Sequence, residues 1–448
     1  MTINKELIDK QLINRQLGYM EARMHYMQAC LNGTTQGCLA LKVNGCFNQE
    51  QFSLAVESVV ARIPHARCII VERGNTPFFL GEATPTLPLS FESGVRAKQW
   101  LQIFNRENNS ALDHSSALWR LTVCPVEDMA DLTYIYMSLH HSIADGTSAD
   151  IFIDEIFKAY ASIDGAIAQT DFEFLPPAEN LLPAGLTQSW EDFNSVFNQV
   201  AASPVQKMDE FVSSVDLAQR ATKTLELTIA PEKLADIESY CKDINLPLNS
   251  FLSTALLRAY HVVKYNMTGT LHPVSFHTTF SLRRLCGLGK NSFGCYMSVV
   301  PMTFTHEQLS CSSHELIKVH HKKISQSILK LSRQPVSFDT QAIKASVAGI
   351  ANSRNFACDI GFTFGESNVR RQYNQLSIEN IYPTVNRSAG NIALVVHCLK
   401  YNNSINISIN YTSPNQTDEF VNSVLAKFTD NLSIHNASEW ISESAIFA

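Results

Sequence analysis

The chain has 448 residues, of which 45% are hydrophobic and 17% are charged. This length exceeds the size at which one hydrophobic core usually stops growing, so we expect two domains or two large subdomains. The formal net charge of -7 argues against a chain-wide attraction to nucleic acid or to an anionic membrane surface, and the composition is that of a globular protein.

The 11 cysteines are scattered without a CxxC pair, which favours free thiols in a reducing compartment over a disulfide framework. The N-terminal segment MTINKELIDKQLINRQLGYM mixes charges with apolar residues and lacks the long apolar core of a signal peptide. We therefore expect a cytoplasmic protein without a transmembrane segment or a nucleic-acid partner, and we expect it to act as a monomer.

In chain order, the first predicted elements are a helix and a strand. NQEQFSLAVESVVARI (48–63) places its apolar residues on one face after an asparagine cap, and ARCIIVE follows it as a strand. LTYIYMSLH (132–140) is rich in β-branched and aromatic residues and predicts a strand buried on both faces. SADIFIDEIFKAYAS (148–162) returns to helical spacing, with Ser148 as its candidate cap.

The character of the sequence changes between about 171 and 220, where PPAEN and LLPAG predict an irregular linker or crossover. NSFLSTALLRAYHVVKY (249–265) then predicts a strongly apolar helix, and TDEFVNSVLAKFTDNL predicts a capped amphipathic helix near the end. Between them, SINISINYT (404–412) alternates apolar and polar residues as a half-exposed strand does. We therefore place an N-terminal subdomain at 1–175, a linker at 176–220 and a C-terminal subdomain at 221–448.

The loop after the strand at 132–140 carries the residues that indicate chemistry, His140, His141, Asp145 and Gly146. Imidazole has the side-chain pKa nearest neutrality, so it can take a proton from a nucleophile and return it to a leaving group. A strand end holds such a ring rigidly, a tight turn brings Asp145 back under the loop, and Gly146 permits a backbone conformation that a Cβ resists. Histidine pairs and Asp-Gly turns are common structural features, so the indication comes from the whole string between a strand and a helix.

HHSIADG (140–146) resembles the HHxxxDG motif of the thioester-dependent acyltransferases. These share a chloramphenicol acetyltransferase-like fold and include peptide-synthetase condensation domains, plant BAHD enzymes, fungal alcohol acetyltransferases and mycobacterial polyketide-associated acyltransferases. NRQLGYMEARMHYMQ (14–28) looks like the opening signature of the alcohol-acyltransferase branch. FSLRRLCGLGKNSFGCYMSVVP (280–301) resembles the family's arginine-containing strand and the segment after it, but lacks the asparagine of that segment.

The resemblance implies an α/β fold in which two chloramphenicol acetyltransferase-like subdomains form a pseudo-dimer with a tunnel between them. It also implies that the second histidine, His141, is the catalytic base, and that Asp145 supports the loop through an ion pair with an arginine. Arg283 is the first candidate for this arginine and Arg284 is the second. A carboxylate buried beneath a loop requires such a cation, because an unpaired buried charge is strongly destabilising.

DIGFTFGES (359–367) lies where relatives carry a DFGWG segment. The match is loose, so we expect Asp359, Gly361 and Gly365 to support the architecture rather than the chemistry. HELIKVHHKK (314–323) contains three histidines, but their spacing differs from HExxH and predicts a solvated helix face rather than a metal site. Neither a phosphate-binding glycine motif nor GxSxG occurs.

The activity that the resemblance implies is transfer of an acyl group from a coenzyme A or carrier-protein thioester to an acceptor hydroxyl, giving an ester. The alternative is a free-standing condensation domain that forms an amide or ester between carrier-bound substrates. A third possibility is an interaction module that has lost turnover, against which the intact motif argues. We expect no permanently bound cofactor and no metal; the partners are acyl-CoA or a phosphopantetheinyl acyl or peptidyl carrier protein, and a small-molecule alcohol or amine.

Overall fold

Two six-stranded sheets and the helices packed on them form the protein. The computed structural model describes residues 13–81, 87–162, 171–201 and 209–433. The helices are α1 (Tyr19–Cys30), α2 (Gln49–Arg62), α3 (Trp100–Asn109), α4 (Gly146–Ala161), α5 (Ala178–Leu181), α6 (Trp190–Ala201), α7 (Pro231–Asp243), α8 (Leu248–Thr268), α9 (His306–Leu309), α10 (Ser313–Leu331), α11 (Thr340–Ala351) and α12 (Asp418–Asn431). The strands are β1 (Asn14–Gln16), β2 (Gly37–Asn44), β3 (Cys68–Arg73), β4 (Thr76–Gly81), β5 (Leu89–Phe91), β6 (Trp119–Pro125), β7 (Leu132–Leu139), β8 (Thr187–Gln188), β9 (Ala221–Ile229), β10 (Val274–Ser281), β11 (Met297–Phe304), β12 (Gln334–Pro335), β13 (Cys358–Glu366), β14 (Gln372–Tyr373), β15 (Leu376–Val385), β16 (Ile392–Tyr401) and β17 (Ser404–Ser413).

The strand order of the first sheet is β14-β15-β2-β7-β6-β5, and that of the second is β11-β10-β13-β16-β17-β9. Both sheets are mixed, since β5 runs parallel to β6 in the first and β13 runs parallel to β10 and β16 in the second. A small antiparallel sheet, β1-β4-β3, and the pair β8-β12 complete the strands. The predicted α/β fold with two sheet-rich halves is therefore confirmed.

Several elements form where the sequence predicts them. Helix α2 begins after Asn48, whose side chain accepts a hydrogen bond from the Gln51 N–H. Strand β7 is buried at every position, as a strand covered on both faces must be. The apolar helix α8 and the closing helix α12 also form, the latter capped by Thr417. The stretch expected to be an irregular linker differs, because it contains the 12-residue helix α6.

Strand β17 corrects the prediction of a half-exposed strand at 404–412. Its isoleucines lie in the core of the second half, but the alternating polar residues Asn406, Ser408 and Asn410 are buried as well. The Asn406 side chain donates to the Ile381 carbonyl of β15 at 3.0 Å. The polar positions of this strand thus face the first half of the molecule rather than solvent.

The two halves are joined by shared strands and by side-chain amides. Strands β14 and β15 come late in the chain, yet β15 pairs antiparallel with β2 of the first sheet. Helix α3 of the first half covers the edge strand β9 of the second, where Asn109 bonds both the N–H and the carbonyl of Thr222. The domain boundaries at 175 and 220 stay a prediction. The contacts show in addition that each half contributes an element to the sheet of the other, or covers its edge.

Leu256 and Leu54 provide a matched test of the core. Leu256 is fully buried in α8, whereas Leu54 on α2 is 61% exposed. We expect Leu256→Ala to lower the free energy of unfolding by about 2–5 kcal/mol, because it leaves a cavity. Leu54→Ala should change it by less than about 0.5 kcal/mol. Chemical denaturation followed by circular dichroism measures both, and equal losses would contradict the described core.

Candidate active site

The HHSIADG segment forms the loop between β7 and α4, as the sequence predicts. Asp145 is the residue that caps α4, since its Oδ1 accepts a hydrogen bond from the Ser148 N–H at 3.1 Å. The prediction that Ser148 caps this helix is therefore wrong. The role expected of Gly146 is also wrong, because this residue has an ordinary backbone conformation and a Cβ there would meet open space.

Asp145 is buried and forms an ion pair with Arg283, which follows β10 in the second half. The Arg283 guanidinium donates through Nη2 to Oδ1 at 2.8 Å and through Nη1 to Oδ2. The Tyr296 backbone N–H donates to the same Oδ2 at 3.1 Å. The pairing that the resemblance implied for Arg283 is thus present, whereas the second candidate, Arg284, is exposed.

A second layer of hydrogen bonds fixes the arginine. Arg283 Nη2 donates to the Ser148 hydroxyl at 3.0 Å and to the Ser292 carbonyl at 3.1 Å. The Ser148 hydroxyl donates in turn to the Gly294 carbonyl at 2.8 Å. Gly294 has φ +147, and a Cβ there would lie 2.6 Å from the Tyr296 ring, so glycine is required. These backbone contacts could not be predicted from the sequence, because they depend on the path of the chain rather than on residue type.

His141 is half-buried at the start of the loop, and its Nδ1 is buried without a hydrogen-bond partner among the described residues. Burial lowers the pKa of this imidazole, while the charge of Asp145 and the backbone carbonyls of His141 and Ala144 partly oppose the shift. A lowered pKa keeps the ring neutral at neutral pH. A neutral imidazole is able to accept a proton.

His140 points into the interior and is fully buried. Its Nδ1 accepts a hydrogen bond from the Ser142 N–H at 3.2 Å, and its ring stacks on that of His25. Burial lowers the pKa of His140 well below the usual value. Of the two adjacent histidines, His141 is thus the one that retains access, and His140 packs beneath the loop.

A third histidine lies close to the loop and was not singled out from the sequence. The charge of His141 contributes to lowering the pKa of His397, on β16 of the second sheet, to about 3, although burial is the larger cause. The Asn410 side-chain amide lies 3.2 Å from His397 Nδ1. The hydroxyls of Thr224 and Thr384 donate to Asn410 Oδ1, so the amide NH₂ faces the ring and the neutral imidazole carries its proton on Nε2. The only sequence signal was a histidine in an apolar strand.

Asp359 lies at the start of β13, where it accepts hydrogen bonds from the Ser275 backbone and hydroxyl and from the Tyr260 hydroxyl. It thus connects β13 with β10 and α8. A Cβ at Gly361 would lie 3.2 Å from Val395, whereas one at Gly365 would make only ordinary contact. Among the described residues, no hydrogen bond or ion pair joins Asp359 or Gly365 to the Asp145–Arg283 pair, and their supporting role stays a prediction.

The histidines at 314–323 were predicted to lie on a solvated helix face, and the structure contradicts this at His320. His320 is fully buried and its ring stacks against Phe304. Within the described parts of the chain, no group of three or more His, Cys, Asp or Glu residues is arranged to hold a metal ion. No helix among those same residues has the length and apolarity needed to cross a membrane.

Residues 36–439 match the family model of the condensation domain. The chain belongs to the condensation-domain family. The fold is similar to that of a trichothecene 15-O-acetyltransferase from Fusarium sporotrichioides, at 13% identity and a TM-score of 0.73, over 94% of each chain. It is also similar to the condensation domain of the monacolin K polyketide synthase MokA, at 12% identity and a TM-score of 0.70, over 96% of this chain and 98% of that one.

A third similar structure is a mutant starter condensation domain of rhizomide synthetase RzmA in complex with C8-CoA. It has 12% identity and a TM-score of 0.66, over 93% of this chain and 94% of that one. A search of curated proteins found no match. The family and the two-sheet fold, but not a particular substrate, follow from these comparisons.

Arg283 and Arg284 give a matched pair of variants for the ion pair. We expect Arg283→Met to lower the free energy of unfolding by about 3–5 kcal/mol, because it leaves the Asp145 carboxylate buried and unpaired. Arg284→Met removes an exposed cation and should change stability by less than about 0.5 kcal/mol. Adding Asp145→Asn to Arg283→Met should recover part of the loss. Denaturant unfolding of the wild type, Arg283→Met, Asp145→Asn and the double variant measures this coupling, and additive effects would argue against the pair.

Proposed function

We propose that this condensation-family protein transfers an acyl group from a coenzyme A or carrier-protein thioester to the hydroxyl of a small molecule, with His141 as general base. The observation that supports this most is the state of His141. Its ring is held at a strand end, the residue is only half-buried, and burial lowers its pKa. A neutral, fixed and reachable imidazole is what general-base catalysis requires.

In the proposed reaction, His141 takes the proton of the acceptor hydroxyl as its oxygen attacks the thioester carbonyl. The tetrahedral intermediate carries the negative charge on the former carbonyl oxygen. Collapse of this intermediate breaks the carbon–sulfur bond, and the departing thiolate receives the proton from the His141 imidazolium. The products are an ester and a free thiol, and no acyl-enzyme is formed.

Asp145 serves in this proposal as a positioning residue rather than as a proton acceptor. Both of its carboxylate oxygens are occupied by hydrogen bonds from Arg283, Ser148 and the Tyr296 N–H. Its charge also favours the imidazolium that forms during the reaction, since it opposes the fall in the pKa of His141. The ion pair would therefore fix the loop and moderate the pKa of the base at the same time.

The donor and acceptor are proposed to meet at His141 through a tunnel between the two sheets. Partial exposure of Thr363 and His397 supports this route, because both lie in interior strands of the second sheet and would otherwise be covered. A space that excludes bulk water strengthens the interactions of the developing oxyanion and holds the reactants together.

We favour an alcohol acceptor because of the N-terminal signature at 14–28 and the 15-O-acetyltransferase among the similar structures. The alternative, condensation of two carrier-bound substrates, is supported by the family and by the condensation domains of larger synthases that share the fold. Turnover assays with acyl-CoA and with the same acyl group on a carrier protein distinguish these two activities. Turnover that occurs only with the carrier would favour the alternative.

His141→Ala tests the base directly. We expect kcat to fall by about two or more orders of magnitude with the fold intact, because the acceptor loses its proton acceptor. Release of free thiol from acetyl-CoA and octanoyl-CoA in the presence of a panel of alcohols measures the rate. The exposed His321→Ala provides the matched control and should keep the wild-type rate. An active His141→Ala protein would refute the assignment.

The lowered pKa of His141 also predicts the pH dependence. Because the ring loses its proton more readily than an ordinary histidine, the base form persists as the pH falls below about 6.5. We expect kcat/KM to be level down to that pH and to decline only below it, as the ring becomes protonated. Rates measured with one alcohol across this range test the prediction. An acidic limb centred above 6.5 would assign the titration to another group.

A further inference from the structure

The face of the second sheet that is turned away from its helices is polar. The sheet register places His277, Gly361, Val395 and Asn410 in one row across four strands, so their Cβ positions share a face. His397 lies two residues beyond Val395 and has the same orientation. The residues one position along, such as Phe276, Ile360 and Leu394, lie in the apolar core. His397, on this polar face, is close enough to His141 of the HHSIADG loop for the charge of His141 to lower its pKa.

Arg387, in the connection from β15 to β16, is a buried cation that has no carboxylate partner in the described parts of the chain. Only 6% of the residue is exposed, and its Nη2 donates to the Asn391 side chain at 2.8 Å. Its Nε is buried and has no hydrogen-bond partner among the described residues. Burial lowers the pKa of this guanidinium to about 10. A buried charge in this condition is destabilising unless something else neutralises it.

The backbone holds Arg387 in a fixed position. Its N–H donates to the Thr222 hydroxyl at 2.7 Å, and its carbonyl accepts from the Gly390 N–H at 2.8 Å. The preceding residue, Asn386, exchanges backbone hydrogen bonds with Thr35 and Gln36 of the first half. The arginine is therefore anchored to both halves, which is the arrangement expected of a binding residue rather than of a mobile surface cation.

Arg387 acts on both histidines of the polar face. Its charge lowers the pKa of His397 and, together with the charge of Arg23, that of His277, in addition to the larger effect of burial. Arg23 is half-buried on α1 and forms no ion pair with a carboxylate of the described residues. Both arginines thus act on His277, and neither has a carboxylate partner among the described residues.

The nearby carboxylates do not neutralise these arginines. Asp359 raises the pKa of His277 but is held by Ser275, Tyr260 and Lys264. Glu226 lies on the polar face two strands from His397, and its Oε2 is buried without a hydrogen-bond partner in the described chain. The positive charge at Arg387 and Arg23 is left for a ligand.

We propose that Arg387 and Arg23 bind the carboxylate of the acceptor, so that the acceptor is a hydroxy acid. This inference rests on the proposed function for the identity of the reacting groups. A guanidinium matches a carboxylate in shape and hydrogen-bonding geometry, and the carboxylate would relieve the unpaired charge. The phosphates of coenzyme A are separated from the thioester by the pantetheine arm, so an anion beside the base belongs to the acceptor or to the acyl group.

The test compares hydroxy acids with their neutral amides, such as 3-hydroxybenzoate with 3-hydroxybenzamide and 4-hydroxybutyrate with its amide. We expect the acids to raise the Tm of the wild-type protein more than the amides do, and to have a KM at least about tenfold lower as acceptors. Arg387→Met should remove this preference while raising the Tm of the ligand-free protein, because an uncompensated buried charge is gone. Arg23→Met should reduce the preference for acids as well. Because Arg23 is only half-buried, this variant tests the proposal even if Arg387→Met fails to fold.

The exposed Arg370→Met is the matched control and should keep both the preference and the Tm. Equal Tm shifts with acids and amides, or an unchanged preference in both variants, would overturn the proposal.

A comparison of succinyl-CoA with butyryl-CoA as donors separates the two sources of the anion. An arginine-dependent preference for the succinyl donor alone would assign the carboxylate to the acyl group. The thermal shifts need no turnover, so ligand-dependent stabilisation without thiol release would reject the proposed function alone. Turnover of neutral alcohols without a preference for acids would reject this proposal alone.

Discussion

The ion pair between Asp145 and Arg283 is the interaction on which the candidate site depends. Asp145 belongs to the loop of the first half and caps α4, whereas Arg283 follows β10 in the second half. A bidentate guanidinium–carboxylate contact fixes orientation as well as distance. The position of His141 is thereby determined by both halves together, and any shift of one sheet against the other would displace this residue. This explains how an otherwise short polar loop holds an imidazole still.

Much of this could be predicted from the sequence, because the HHSIADG string stands between a strongly apolar strand and an amphipathic helix. The ion pair was implied by the resemblance to the HHxxxDG acyltransferases, and Arg283 was its first candidate because residues 280–301 resemble the family's arginine-containing strand. The cap of α4 was misassigned because Asp145 and Ser148 are both good capping residues. In the structure the Asp145 carboxylate accepts from the Ser148 N–H, and the Ser148 hydroxyl instead contacts Arg283. His397 was missed because its proximity to His141 depends on how the second sheet lies against the loop, which a histidine in an apolar strand does not reveal.

The strand at 404–412 was predicted to be half-exposed, but both of its faces are buried. Alternating polar residues normally indicate a solvent-exposed face, and the inference fails here because the partner surface is itself polar. Asn406, Asn410 and Thr224 are buried, and each is satisfied by hydrogen bonds to another strand or helix. A single sequence does not distinguish water from a second sheet as the neighbour of such a face.

The crossing of β15 into the first sheet has a consequence for biosynthesis. Strand β2 begins at Gly37, but its partner β15 begins only at Leu376. While the chain is emerging from the ribosome, β2 has an open edge on that side until most of the polypeptide has been translated. Such distant pairing slows folding and exposes an edge that could recruit another nascent chain. A stop codon before Gln372 would therefore be expected to yield an aggregating fragment instead of an independent N-terminal unit.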